Sequence, residues 1–157
     1  MMSAKQKQLG SLGLLVLLFS QSVLAGGWNT NKDGVVLDGY DVVAYRTADR
    51  ATPGKSEYSV HFDGGLFYFS SKANKEVFVN NPERYVPEYH GYCAFAMGAK
   101  NAKVPANADT FKLYNGKLLV FFNDEYEGQK VNTKILWNQN EKNLYGKAES
   151  NWMHMKP

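Results

Sequence analysis

The sequence predicts an α+β fold: one small single domain with two β-hairpins, several short helices and a C-terminal amphipathic helix or pair of helices. Three observations predict it. Two stretches alternate aromatic and β-branched residues on either side of a glycine-containing turn, which is the pattern of a β-hairpin. Outside these hairpins lie polar stretches that either begin with a helix-capping residue or carry apolar residues at helical spacing. Strands and helices are also grouped rather than alternating, and this grouping favours α+β over α/β architecture.

Residues 1–25 have the layout of a secretory signal peptide. Lys5 and Lys7 precede an apolar run from Leu9 to Phe19, and Val23 and Ala25 place small side chains before a cleavage point. A membrane anchor is the alternative, but this run has about eleven residues, whereas a spanning helix needs roughly 20. We therefore expect cleavage after Ala25 and a periplasmic or secreted protein, with no membrane attachment afterwards.

The charge and cysteine content exclude several classes of protein. Residues 1–25 hold two of the 18 Lys and Arg residues and none of the 15 Asp and Glu residues, so the mature chain would be nearly neutral. Lys and Arg are not clustered in the sequence, so it does not indicate a nucleic-acid partner. The single cysteine, Cys93, excludes an internal disulfide, and the remaining length suits one domain with a core.

The domain is expected over residues 35–157, after a flexible lead-in over residues 26–34. Its first stretch, Val35 to Tyr45, is apolar with a glycine break and predicts a short strand and a turn. The first hairpin is YSVHF and LFYFS around DGG, and the second is TFKLYNGKLLVFF with its turn at Asn115 and Gly116.

Helices are predicted in two further places. Ser70 or Ser71 provides a cap for a helix that Pro82 ends. The region from Asp124 to about Trp152 is polar with spaced apolar residues, and we interpret it as one or two amphipathic helices.

Several of these stretches resemble the YHS domain family, in its secreted or periplasmic single-domain branch. They are LDGYDVVAY, EYSVHFDGGLFYFSS, FVNNPERYVPEYHGYCAFAM and a late NW, and they run from about Val35 to Trp152. YHS domains are best known as small metal-associated modules attached to heavy-metal-transporting ATPases and to some oxygenases. The resemblance therefore implies a YHS-like scaffold with a metal-linked function. It implies no established activity for the secreted branch.

The chain departs from the metal-linked YHS members at their cysteine positions. Those members tend to carry one cysteine directly after the YF of the first hairpin and another four residues later. Here Ser70 and Asn74 stand at these positions, and LDGYD stands where a further cysteine lies near their N-terminus. A zinc site of this kind needs about four Cys or His ligands, so this chain cannot build one from cysteines.

The stretch EYHGYCAFAMG contains the residues that best suit a soft metal. His90, Cys93 and Met97 offer imidazole, thiolate and thioether, the ligand set that copper prefers. A helix is predicted to begin near Gly91 or Tyr92. If it instead reaches back to His90, all three side chains lie on one face. We therefore predict a metal site anchored by Cys93 and assisted by its two neighbours, with copper favoured over zinc.

His61, in the middle of the first hairpin, is a further candidate ligand for this site. Strand alternation places His61 on the face opposite Tyr58, Val60 and Phe62. If that face meets the Cys93 segment, His61 supplies a further ligand to the metal site. The preferred alternative is a histidine that faces solvent.

Two other interpretations of Cys93 stay open. In one, Cys93 is buried in the core of a non-catalytic module, and aromatic residues line a pocket for a small molecule or contribute to binding a periplasmic protein partner. In the other, His90 activates Cys93 in a thiol redox protein that relies on a partner thiol. No Ser-His-Asp, phosphate-loop or HExxH pattern occurs. The sequence therefore favours a non-catalytic role without deciding the question of an enzyme.

Overall fold

A computed structural model describes residues 27–155; the predicted signal peptide lies outside the described residues. The helices are α1 (Ala44–Thr47), α2 (Lys72–Asn80), α3 (Ala94–Lys100), α4 (Thr133–Gln139) and α5 (Glu141–Met155). The strands are β1 (Lys55–Phe62), β2 (Gly65–Phe69), β3 (Asn107–Tyr114), β4 (Lys117–Phe121), β5 (Asn123–Tyr126) and β6 (Gln129–Asn132). Consecutive strands pair as antiparallel hairpins, so the predicted α+β class is confirmed. Within residues 27–155 no helix combines the length and apolar character needed to span a bilayer.

The two predicted hairpins are present, and their turns explain their register. Asp63 and Gly64 join β1 to β2 with φ angles of 46° and 75°, and Asn115 and Gly116 join β3 to β4 with φ angles of 49° and 74°. Two successive residues with positive φ are the requirement of a type I′ turn, which matches the twist of the flanking strands. Asp-Gly and Asn-Gly adopt this conformation readily, so both turns follow from local sequence.

Residues 124–132, predicted as the start of the C-terminal helical region, form a third hairpin instead. Glu127 and Gly128 join β5 to β6 with φ angles of 51° and 76°. Glu-Gly is a weaker turn pair than Asn-Gly or Asp-Gly, and β5 is polar and exposed along its whole length. The strand therefore lacks the alternating apolar pattern that made the other two hairpins recognisable.

The predicted helices are present, and their ends follow from local chemistry. The Ser71 hydroxyl accepts a hydrogen bond from the Asn74 backbone N–H at 3.1 Å and caps α2, which ends before Pro82. The C-terminal region forms two helices, α4 and α5. A Cβ at Gly98 of α3 would lie 2.5 Å from the carbonyl oxygen of Leu144 in α5. Glycine at this position therefore allows the two helices to pack closely.

The core consists of two groups of buried side chains that meet at β4. Leu118 and Val120 belong to the first cluster, which includes the β1–β2 hairpin and α2. Leu119 and Phe121 belong to the second, which includes Trp137 and the apolar faces of α3 and α5. Successive side chains of a strand point to opposite faces, so β4 serves both clusters and fixes the helices relative to the hairpins.

Residues 27–34 are attached to the core, although the sequence predicted a flexible lead-in. Trp28 is buried and donates its indole N–H to the carbonyl oxygen of Asp63 at 2.9 Å. Thr30 forms an antiparallel bridge with the segment that follows. The strand predicted next is a 3-10 turn at Leu37–Gly39, followed by α1. The N-terminal part of the domain is therefore ordered by tertiary contacts rather than by its own propensity.

Candidate functional site

Cys93 lies where the EYHGYCAFAMG stretch enters α3. It is the N-cap residue of α3, so the helix begins after it and later than the predicted start at Gly91 or Tyr92. The Cys93 backbone N–H donates to the carbonyl oxygen of Val104 at 2.8 Å, and the residue forms a parallel bridge with Val120. Its side chain is completely buried, with 0% exposure.

The Cys93 thiol contacts the hydroxyl of one buried threonine, Thr133. The Thr133 hydroxyl donates to the carbonyl oxygen of Phe122 at 2.9 Å and lies 3.3 Å from Cys93 Sγ. The thiol therefore lies within hydrogen-bonding distance of one buried hydroxyl, and either group can be the donor.

An apolar cavity of about 430 Å³ lies beside Cys93. Its volume is within the range of about 300–1,000 Å³ that is usual for small-molecule sites. α3, the segment after it, the β5–β6 hairpin and the start of α4 form its walls. The lining residues are Cys93, Phe95, Ala96, Lys100, Ala102, Val104, Phe122, Tyr126, Val131 and Thr133.

The walls of this cavity are fixed by backbone hydrogen bonds at several points. Asn101 ends α3 in the left-handed conformation, with φ of 51°, and turns the chain back along the helix. The Ala102 N–H donates to the carbonyl oxygen of Ala96 at 3.3 Å, and the Thr133 N–H donates to that of Phe122 at 2.9 Å. The cavity is therefore formed by the fold itself. Lys100 is the one charged residue that contributes to its lining.

His90 lies away from this cavity, against two tryptophans. It belongs to a 3-10 turn at Glu88–Gly91 and has φ of 52°, so α3 does not reach back to it. Its ring stacks on Trp28 with 4.2 Å between ring centroids, and the ring of Trp152 meets it edge-on at 4.9 Å. The His90 carbonyl accepts from the Asn29 N–H at 2.8 Å. These contacts make His90 a link between the two ends of the described chain.

The other two candidate ligands also lie elsewhere. Met97 is completely buried in the second core cluster, together with Trp137 and Phe121. His61 is an exposed residue of β1, paired across the hairpin with Leu66. This position agrees with the solvent-facing alternative for His61. Neither Met97 nor His61 lines the cavity beside Cys93.

Among residues 27–155, no three or more His, Cys, Asp and Glu side chains come together in a way that could hold a metal ion. The structure therefore offers Cys93 as a soft ligand at a cavity wall, without protein partners of those types around it. A metal held there would need ligands of another kind.

A second buried site, which the sequence motifs did not indicate, is centred on Asp41. The Asp41 side chain is completely buried. Its Oδ1 accepts from the backbone N–H groups of Val43 at 2.9 Å and Ala44 at 3.2 Å. Its Oδ2 accepts from the Ser70 N–H at 2.8 Å, the Ser70 hydroxyl at 2.6 Å and the Asn74 amide at 2.7 Å. Five donors thus stabilise one buried carboxylate.

This Asp41 network stands where the YHS resemblance places metal-linked cysteines. Ser70 and Asn74 occupy two of those sequence positions, and Asp41 belongs to the LDGYD stretch at the third. Soft metals prefer thiolate and imidazole ligands, whereas these side chains offer a hydroxyl, an amide and a carboxylate whose oxygens are already hydrogen-bonded. The residues present do not fit a soft metal at this location.

One local signal could have identified Asp41. An aspartate directly before the apolar run Val42–Tyr45 suits a turn in which its side chain accepts from backbone N–H groups two and three residues later, which is how its Oδ1 is used. Its partners Ser70 and Asn74 lie 29 and 33 residues away, so their contribution depends on tertiary structure. The cavity was also not predictable, because its walls come from segments that are distant in sequence.

Comparisons with protein-family models, with curated proteins and with solved structures gave no match for this chain. The resemblance to the YHS family therefore stays a prediction that depends on the motifs quoted above.

Proposed function

We propose that this protein is a YHS-like periplasmic or secreted binding module that holds a small apolar molecule in the cavity beside Cys93. The single observation that carries the proposal is the cavity of about 430 Å³ with predominantly apolar walls. The signal-peptide pattern supports the location. In this proposal the protein is a carrier or sensor rather than an enzyme.

The chemistry of the walls defines the ligand. Phe95, Phe122 and Val131 offer apolar surface, and Thr133 uses its hydroxyl hydrogen within the protein. A ligand would therefore gain affinity mainly by removing apolar surface from water. At roughly 0.3–0.5 kcal/mol per non-hydrogen atom, a ligand of nine such atoms would bind with a Kd between about 10 mM and about 0.5 mM.

A titration with 1-octanol, followed by two-dimensional ¹H–¹⁵N NMR, tests this proposal. We expect saturable shifts of amides in the cavity wall, such as those of Phe95 and Val131. Ala102→Leu should fill part of the cavity and weaken 1-octanol binding about tenfold or more, whereas Ala99→Leu, on the exposed side of α3, should leave binding unchanged. Non-saturable shifts, or equal binding by both variants, would contradict the proposal.

Copper binding through Cys93 is the second candidate function. What supports it is that the one cysteine of the chain contributes to a cavity wall. Because His90 and Met97 pack elsewhere, Cys93 would need a ligand from outside the protein to complete the site. Anaerobic Cu(I) loading of the wild type and of Cys93→Ser tests this candidate. Equal copper content in the two proteins would contradict it.

The thiol redox alternative has less support from the geometry. A redox or nucleophilic cysteine needs an activating neighbour, whereas the His90 ring stacks on Trp28 and does not line the cavity beside Cys93. The complete burial of the side chain also separates it from a partner thiol.

A further inference from the structure

A polar cavity of about 250 Å³, separate from the Cys93 cavity, lies among α1, the 3-10 turn at Pro82–Arg84 and the β3–β4 turn. Arg46 and Arg84 both contribute to its lining, together with Lys117 and two glutamates. Three separate parts of the chain thus bring positive side chains to one small concave surface.

The charged side chains of this cavity are unequally paired. Lys117 forms an ion pair with Glu88 at 2.9 Å, so these two charges offset each other. Among residues 27–155, neither Arg46 nor Arg84 forms an ion pair with a carboxylate. Glu83, in the same turn as Arg84, is the remaining negative residue of the lining. Across the whole lining, three cationic side chains therefore face two carboxylates, and the cavity carries a net charge of +1.

Arg46 is held in place by the fold, which prepares it for a ligand. One of its Nη2 hydrogens is donated to the carbonyl oxygen of Gly116 in the β3–β4 turn. Its Nε is shielded from solvent and has no hydrogen-bond acceptor within the described part of the chain. Burial, and then the positive charge of Arg84, lower the pKa of Arg46. A buried donor without an acceptor and a like-charged neighbour are both unfavourable, and an anion near the two groups would relieve the repulsion.

We propose that this cavity is a binding site for a small oxyanion, of the phosphate or carboxylate class, held between Arg46 and Arg84. Guanidinium groups bind such anions through parallel charge-assisted hydrogen bonds. Because the Gly116 carbonyl already orients Arg46, little side-chain entropy is lost when the anion binds. This site does not depend on the function proposed for the Cys93 cavity.

Titration with inorganic phosphate, at constant ionic strength set with sodium chloride, tests the site. We expect saturable NMR shifts of the Gly116 and Lys117 amides, because both residues contribute to the lining. Arg84→Gln should weaken phosphate binding roughly fivefold to tenfold. Glu83→Gln should strengthen it roughly twofold to fivefold, because it removes the opposing charge.

The control is Arg50→Gln, which removes an exposed arginine that does not line the cavity and should leave phosphate affinity unchanged. These exposed substitutions should all leave the fold intact. Equal phosphate affinity of the wild type and Arg84→Gln would overturn the proposal, as would shifts that chloride reproduces at the same ionic strength.

Discussion

Asp41 and Cys93 are both completely buried, but only Cys93 lies beside a cavity. Both oxygens of Asp41 are surrounded by donors: Val43 and Ala44 at the start of α1, Ser70 directly after β2, and Asn74 in α2. The Cys93 thiol makes one hydrogen bond and lies beside a cavity of about 430 Å³. The first site is closed by the protein itself, and the second has room for another molecule.

This difference separates a structural role from a binding role. A buried carboxylate with five donors has its hydrogen-bonding capacity satisfied, and it ties the start of α1 to the junction of β2 and α2. An apolar cavity forgoes packing that neighbouring side chains would otherwise provide. Retaining such a cavity suits a protein that binds something in it.

The largest loss of stability should come from removing the Asp41 carboxylate. Asp41→Ala leaves its buried donors without their acceptor, and we expect the free energy of unfolding to fall by about 3 kcal/mol or more. Urea denaturation of the variant against the wild type measures this change. Asp33→Ala, at an exposed loop aspartate, is the matched control and should stay within about 0.5 kcal/mol of the wild type. A loss below about 1 kcal/mol in Asp41→Ala would show that the network contributes little.

Alkaline pH should lower the free energy of unfolding, because each core cluster contains a buried tyrosine. Burial is the main cause that raises the pKa of Tyr45, and also of Tyr89, whose hydroxyl donates to Glu149 at 2.8 Å. Above about pH 10 the unfolded state releases these protons while the folded state retains them. The free energy of unfolding should then fall by about 1.4 kcal/mol per pH unit for each tyrosine.

Urea unfolding at several pH values from 9 to 11 measures this alkaline slope. Tyr45→Phe and Tyr89→Phe should each make the slope shallower, whereas Tyr126→Phe, at an exposed tyrosine, should not change it. If the slope of Tyr89→Phe equals that of the wild type, burial does not hold the proton on Tyr89.

A single donor of the Asp41 network should have a smaller effect. Asn74→Ala removes the amide that donates to Asp41 Oδ2 at 2.7 Å, which costs about 1.5 kcal/mol or more. Alanine offsets about 0.5 kcal/mol of this loss through its higher helix propensity in α2. We expect a net destabilisation of about 1 kcal/mol by urea denaturation. Asn80→Ala, at an exposed position of the same helix, should be neutral or slightly stabilising, and an equal loss in both variants would contradict a specific role for Asn74.

The smallest change in stability should come from a larger side chain in the cavity beside Cys93. Ala102→Leu adds apolar atoms to the cavity wall, and we expect the free energy of unfolding to rise by about 0.5–1 kcal/mol. Ala99→Leu, on the exposed side of α3, should change it by less than about 0.5 kcal/mol. A destabilisation of more than about 1 kcal/mol by Ala102→Leu, measured in urea, would mean that the space beside Cys93 is already filled.

Some features of this fold depend on neighbouring residues alone, and others depend on tertiary contacts. The turns at Asp63–Gly64 and Asn115–Gly116 and the Ser71 cap depend on neighbouring residues, so the sequence predicts them. The β5–β6 hairpin was assigned to a helical region, because its polar strands and Glu-Gly turn carry a weak signal. The network around Asp41 and the cavity beside Cys93 join residues far apart in sequence, which periodicity and spacing cannot bring together.

The most direct test of the binding role is the rate at which a small neutral thiol reagent labels Cys93 in the native protein. Because the side chain is completely buried, labelling should be slow without ligand. If 1-octanol fills the adjacent cavity, labelling should slow by the factor 1 + [1-octanol]/Kd, which is about twofold at a concentration equal to Kd. Rapid labelling that 1-octanol leaves unchanged would show that the ligand binds elsewhere and would contradict the role proposed for the cavity.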